Sequence, residues 1–249
     1  MNICLLIIIL IILVALVLLK YTDFSNFINF PKMIGKWEAP EINLEQIKEL
    51  SPKFIYIHGM VASGKSTLSD KLKEFGYKPI HIDDLVREEF PIWPKEIYLD
   101  APDGHLTMDQ QKLFARIKKE MNYEKIVIDG FIAPLMWKEL YMYKPWDMLI
   151  FVQHSNADSY RIAIMKRAIY DLNNNLRTLS SFWRDPRSSD MISEYKEKGK
   201  DSELLQQMVN DTSIHKWDTL KDKCTYWTDL FEKNSWPYYL YYIDLSVVR

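Results

Sequence analysis

The sequence predicts an α/β fold, a parallel β-sheet flanked by helices, and three observations carry that prediction. From Ser51 onward, short runs of β-branched and aromatic residues alternate with amphipathic stretches at helical spacing, the pattern of parallel strands joined by crossover helices. The first of these runs stops at a glycine and turns at once into a polar, helix-compatible stretch, FIYIHGMVASGKSTLSD over 54–70. The chain has 249 residues and is 48% hydrophobic, enough to bury a large core.

Taken in order, Ile3 to Leu19 carry no charge, glycine or proline, and as a helix they reach about 25 Å, which predicts a membrane anchor over 1–20. A cleaved signal peptide fits less well, because no basic segment precedes the run and no small-residue cleavage site follows it. Positive charge comes after the span, at Lys20, Lys32 and Lys36, so the expected arrangement is a single-pass membrane protein whose remainder faces the cytosol. Residues 21–50 read as a linker with Pro31, Gly35 and Pro40, closing on a short helix from Leu44 to Leu50.

The domain proper is expected over 51–249. Strands are predicted at Phe54 to His58, Pro79 to Ile82, Lys125 to Asp129, Met148 to Gln153 and Tyr238 to Ile243. Between the first two, Leu68, Leu72 and Phe75 recur at helical spacing and Gly76 supplies a stop. Thr107 with Gln110 forms a capping-box pattern ahead of Leu113, Ile117 and Met121; Ser155 with Asp158 repeats it ahead of Ile162, Met165, Ile169 and Leu172. The last long helix carries Trp217, Leu220, Cys224, Trp227 and Phe231 on one stripe and ends at Asn234 and Pro237. An aromatic stripe of this kind reads as core packing.

Charge and cysteine content narrow the function classes. The formal net charge is −2 and both signs are spread along the chain, so no field points to a nucleic acid, and none is expected as a partner. Cys4 and Cys224 give neither a disulfide framework nor a cysteine metal site, which fits a reducing compartment. His58, His81, His105, His154 and His215 show no metal-ligand spacing and read as ordinary strand, loop and helix residues.

Gly59-Met-Val-Ala-Ser-Gly64-Lys65-Ser66 fits G-x-x-x-x-G-K-[ST] between an apolar strand and a helix start, where a phosphate-binding loop must lie. The glycines let successive backbone N–H groups turn into one concavity, and the positive end of the helix adds to it. Gly59, Ala62, Ser63, Gly64, Lys65, Ser66 and Thr67 are therefore the candidate nucleotide-binding residues. Lys65 would reach the β- and γ-phosphates of ATP, and the Ser66 hydroxyl would ligate Mg²⁺. The third strand closes on Asp129-Gly130, a carboxylate placed to hold Mg²⁺ through water. The Asp-Glu ending of motor-type ATPases and the Asn-Lys-x-Asp of guanine readers are both missing, which argues against a mechanical ATPase or a GTPase switch. The second strand runs into HIDDLVREEF, so Asp83 and Asp84 stand at its carboxyl end, where open α/β sheets bind ligands. Either could accept the proton of an attacking hydroxyl, with Asp84 and Arg87 gripping the substrate; the plainer alternative is that one of them caps the following helix.

These residues together resemble small-molecule P-loop kinases, in particular uridine kinase and nicotinamide riboside kinase-like enzymes. GMVASGKST resembles their phosphate loop, HIDDLVR their Asp-Asp segment, VIDGF their acidic-Gly strand, and DMLIFVQHSNADSYRIAIMKRAIYD their fourth strand leading to an Arg-rich helix and lid. The four parts occur in order over roughly residues 52 to 187. The resemblance implies a P-loop NTPase-type sheet of order 2-3-1-4-5, a lid over about 173–190, a helical tail over 191–233 and a last strand at 238–243. It also implies that Lys65 and Ser66 act on phosphate and Mg²⁺, that Asp83 or Asp84 is the base, and that Asp129 is the magnesium-side carboxylate. A lid cation comes from Arg161, Lys166, Arg167, Arg177, Arg184 or Arg187; Arg167 is the first choice and Arg184 the second.

The expected activity is transfer of the γ-phosphoryl group of ATP-Mg²⁺ to a hydroxyl of a small metabolite, a nucleoside or nucleoside-like compound. The alternatives are a sugar or nucleotide-sugar kinase, a polynucleotide 5′-hydroxyl kinase, and a membrane-tethered ATP-binding scaffold without turnover. The anchor, the run from Pro91 to His105 and the aromatic tail from Ser188 to Lys233 depart from the resembled enzymes. Nothing in the sequence sets the oligomeric state.

Overall fold

The computed structural model describes residues 39–90, 95–100, 102–176 and 180–245. The predicted anchor, the cations after it, Arg177 and much of the 21–50 linker lie outside the described residues. Among the described residues no helix is long and apolar enough to cross a membrane.

Five parallel strands form one sheet in the order β2-β3-β1-β4-β5, the order expected from the sequence. They are β1 (Phe54–Gly59), β2 (Lys78–His81), β3 (Ile126–Asp129), β4 (Met148–His154) and β5 (Tyr238–Ile243). The central strand β1 is buried throughout and pairs in parallel with β3 and β4, with Ile57 opposite Asp129 on one side and Ile150 on the other. Strands buried on both faces are apolar at nearly every position instead of alternating, which is why they read so clearly. The edge strand β5 is covered by residues 40–42: Leu240 N–H donates to Pro40 O and Ile42 N–H to Leu240 O, at 2.9 and 2.8 Å.

The helices are α1 (Leu44–Leu50), α2 (Lys65–Lys71), α3 (Ile82–Glu89), α4 (Met108–Glu120), α5 (Pro134–Tyr143), α6 (Ala157–Asn173), α7 (Ser180–Trp183), α8 (Ser188–Lys198) and α9 (Glu203–Lys233). Gly76 ends the α2 segment in the left-handed region, as its position predicts. The Thr107–Gln110 capping box forms as expected. The one expected at Ser155 and Asp158 does not: Asn156 caps α6 by accepting from Ser159 N–H at 2.8 Å. Ser155 is drawn the other way, its N–H donating to Ile243 O at 3.1 Å. Helix α5 was not foreseen; Pro134 opens it, where a missing N–H costs nothing. The tail is two helices, broken at Gly199, with Ser202 capping α9.

The two faces of the sheet differ. On one, Ile55, Ile57, Val127, Ile150 and Val152 pack with Leu68 and Leu72 behind the phosphate loop and with Ile47 of α1. On the other, Tyr56 and His58 meet Trp137 of α5 and Trp227 of α9, ring centroids 4.4 to 5.4 Å apart in the Tyr56–Trp137, His58–Trp137, His58–Trp227 and Trp137–Trp227 pairs. The stripe Trp217–Phe231 is thus core packing at Trp227 and Phe231, both buried. Beside the sheet, α6, α7, α8 and α9 build a second cluster around Ile164, Phe182, Met191 and Leu205.

Candidate active site

Loop 59–64 turns between β1 and α2 under steric constraints that only particular residues meet. A Cβ on Gly59 would lie 2.5 Å from Val152 O, and one on Gly64 would lie 2.4 Å from the Ile243 side chain. Gly64 has φ +86° and Ala62 φ +60°, both left-handed, so two residues of the loop hold conformations that an L side chain disfavours. His154, ending β4, braces the strained Ala62: its Nε2 lies 2.9 Å from Ala62 O and its Nδ1 2.8 Å from Ser159 Oγ. Burial holds the His154 ring below the ordinary histidine pKa, so the neutral tautomer donates from Nε2 to that carbonyl. Inside the loop, the buried Ser63 Oγ has no hydrogen-bond partner among the described residues.

Lys65 begins α2 half-buried, its Nζ donating to Met60 O at 2.9 Å. Burial lowers its pKa; Asp83 and Asp129 act in the opposite sense, and Arg167 adds to the lowering. Charge therefore converges on Lys65 from α3, β3 and α6. Ser66 Oγ donates to Asp129 Oδ1 at 2.8 Å, and Asp129 Oδ2 faces His81 Nδ1 at 2.6 Å. His81 Nε2 also lies 3.3 Å from Asp70 Oδ1. The hydrogen bond with Asp129 is the largest of the effects raising the His81 pKa, against its partial burial. Gly130 follows with φ +145°, and a Cβ there would press on Ile82 Cβ at 2.6 Å, so the turn after Asp129 needs glycine.

Asp83 and Asp84 do not cap a helix. The N-cap of α3 is His81, no side chain bonds the free N–H groups there, and both aspartates lie exposed in the first turn. The two separate by their partners. Asp83 acts on Lys65, whereas Asp84 Oδ1 accepts from Arg87 Nη1 at 2.5 Å. Thr67 is exposed on α2 beside Ser66.

The predicted lid cations divide in the same way. Arg167 of α6 is half-exposed, 3.6 Å from the buried Asp171, and near enough to Lys65 to oppose its charge. Arg187 is committed elsewhere, forked onto Asp185 at 2.9 and 2.7 Å and onto Asp211 at 2.9 Å. Arg184 is exposed beyond α7 with no ion pair among the described residues. Arg161 lies 3.8 Å from Asp158. Sequence reasoning missed His81 and His154. No local spacing marks them, because each contact joins the ends of strands that are distant in sequence.

The donors fit the nucleotide and cation that the motif implies. A hydroxyl and a carboxylate, joined at the mouth of a glycine-constrained loop, are hard oxygen ligands of the kind Mg²⁺ takes. Among the described residues no group of three or more His, Cys, Asp or Glu forms a metal cage.

Sheet order, loop and flanking helices are consistent with a P-loop NTPase fold. No protein-family model and no curated protein matches the chain. Among solved structures it is similar to TT1252 from Thermus thermophilus, at 16% identity over 66% of this chain and 97% of that one, with a TM-score of 0.29. It is also similar to a deoxyadenosine kinase from M. mycoides solved with dCMP and dCDP, at 15% identity over 78% of this chain and 91% of that one, with a TM-score of 0.28. Likeness at this level assigns no chemistry. The resemblance to uridine kinase and nicotinamide riboside kinase-like enzymes is one of sequence motifs alone, and these comparisons do not extend it.

Proposed function

We propose that the chain is an ATP-dependent phosphotransferase that moves the γ-phosphoryl group to a hydroxyl of a small metabolite, a nucleoside or nucleoside-like compound. The observation that carries this reading is the convergence of Lys65, the Ser66–Asp129 pair and Asp83 at the carboxyl ends of β1, β2 and β3. Ser66 and Asp129 would hold Mg²⁺, which neutralises charge on the phosphate oxygens during transfer. Backbone N–H groups of loop 59–64 and the Lys65 ammonium seat the phosphates. Asp83 takes the proton of the acceptor hydroxyl as its oxygen bonds to the γ-phosphorus; the bond to the bridging oxygen breaks and ADP leaves. Asp83 is preferred to Asp84 because Asp84 is already engaged by Arg87, and that pair suits the holding of a polar acceptor. Arg167 supplies the second cation at the transferring group.

The apolar run 3–19 is proposed to tether this domain to a membrane, with the domain facing the cytosol; its support is the sequence alone. The test of the activity is transfer from γ-labelled ATP by the full chain to a panel of nucleosides, nucleotides, sugars and short oligonucleotides. Label on nucleosides, reduced at least about 100-fold in Lys65→Ala with the fold intact, is the expected result. Label on sugars or on oligonucleotide 5′-hydroxyls would replace the acceptor class. ATP binding with no acceptor labelled would favour a scaffold.

A further inference from the structure

The Asp129 carboxylate is only 3% exposed and both of its oxygens are engaged. Oδ1 accepts from Ser66 Oγ at 2.8 Å, and Oδ2 faces His81 Nδ1 at 2.6 Å. The second ring nitrogen, Nε2, lies 3.3 Å from Oδ1 of Asp70, one turn along α2 from Ser66, and Asp70 is itself 2.5 Å from Lys73 Nζ. One imidazole therefore ties the end of β2 to the end of β3 and to the helix that carries the phosphate loop. The ring has no part in helix capping, since α3 has no side-chain cap at its start. The contact with Asp70 is exposed and contributes little by itself, whereas the contact with Asp129 is shielded.

A carboxylate turns readily about its terminal torsion. A donor fixed on one oxygen selects an orientation and leaves the other oxygen facing a set direction. We infer that His81 is a positioning residue for the cation side of the site, clamping Asp129 Oδ2 so that Oδ1 stays beside Ser66 Oγ. This inference rests on the reading of Ser66 and Asp129 as the cation-side groups. Partners of this kind, outside the ligand set, commonly govern metal affinity by fixing ligand orientation.

The test measures Mn²⁺ affinity of the full chain saturated with ADP, by electron paramagnetic resonance, and ADP affinity in EDTA, by calorimetry. His81→Phe keeps a ring and removes the donor; His81→Gln keeps a donor of similar reach. The expected result is a loss of Mn²⁺ affinity of at least about tenfold in His81→Phe, recovery of most of it in His81→Gln, and ADP affinity in EDTA unchanged within about twofold in both. His81→Ala takes the place of the phenylalanine variant if that does not fold. Wild-type Mn²⁺ affinity in the donor-less variant would overturn the inference. So would an equal loss in the glutamine variant, or a parallel fall of ADP affinity in EDTA, which marks a merely structural role. A wild-type chain that binds ADP while the donor-less variant keeps its Mn²⁺ affinity sinks the His81 role alone; one that binds neither ADP nor Mn²⁺ sinks the nucleotide-site reading beneath it.

Discussion

Asp83 and Asp84 are sequence neighbours with the same chemistry, yet the fold gives them different surroundings. Asp83 acts on the charge of Lys65, and Asp84 is paired with Arg87. Asp83→Asn is therefore expected to lower kcat by about 100-fold or more. Asp84→Asn is expected to act mainly on KM for the acceptor, which steady-state kinetics with both variants will separate. A second residue-scale prediction concerns Gly130. With φ +145° and Ile82 Cβ 2.6 Å from any added Cβ, Gly130→Ala should cost about 1–3 kcal/mol, read as a shift of the urea midpoint at constant slope. The phosphate loop was legible at this scale because its residues are contiguous and each answers a local demand. Its support was not. His81 reaches Asp129 across 48 positions, and His154 reaches Ala62 across 92. Such contacts exist only once the sheet has brought strand ends together.

At the scale of elements, all five strands were readable from their apolar runs, with bounds within about a residue or two. Where the reading slipped, a competing local choice explains it. Asn156 outbids Ser155 as the cap of α6 because Ser155 is already bonded to β5. The tail divides at Gly199, whose φ of +59° breaks α8 from α9. The region expected as a lid, about 173–190, is partly described; around it α6, α7, α8 and α9 share a packed core, with the buried carboxylate of Asp171 beside it. Asp171 accepts from Trp183 Nε1 at 2.9 Å and lies 3.6 Å from Arg167 Nε, so it links α7 to Arg167 of α6. Trp183→Phe removes that donor and should cost about 1–3 kcal/mol of stability by urea unfolding. It should also lower kcat through a less well held Arg167, with ATP binding less affected.

At the scale of the whole molecule, the sheet's aromatic face buries His58, with no hydrogen bond to either ring nitrogen among the described residues and Trp137, Phe151 and Trp227 around it. Burial first, and the Lys65 charge second, push its pKa well below 6.5; burial also lowers that of His154. Both rings are neutral in the folded chain and take up protons on unfolding. Their contribution to stability is thus fully present above about pH 6.5 and is lost as pH falls, at up to about 1.4 kcal/mol per pH unit for each histidine. Thermal or urea unfolding between pH 7 and 5 should show that loss offset in part by His81, whose raised pKa adds stability as pH falls; His58→Phe, which keeps the ring packing, should shift the balance by removing its share of the loss. Strand order 2-3-1-4-5 was expected from the resemblance that the motifs carry, not from periodicity, and the position of the site follows from it, since loop 59–64, Asp83 and Asp129 fall at adjacent strand ends. The acceptor was not legible, because a specificity surface is assembled from loops with no common motif. The central claim is that this junction seats ATP through Lys65. Calorimetric titration of ATP-Mg²⁺ into the full chain and into Lys65→Ala tests it most directly. The account predicts one site per chain in the wild type, weakened at least about tenfold in the variant; absence of binding, or equal affinity in both proteins, would contradict it.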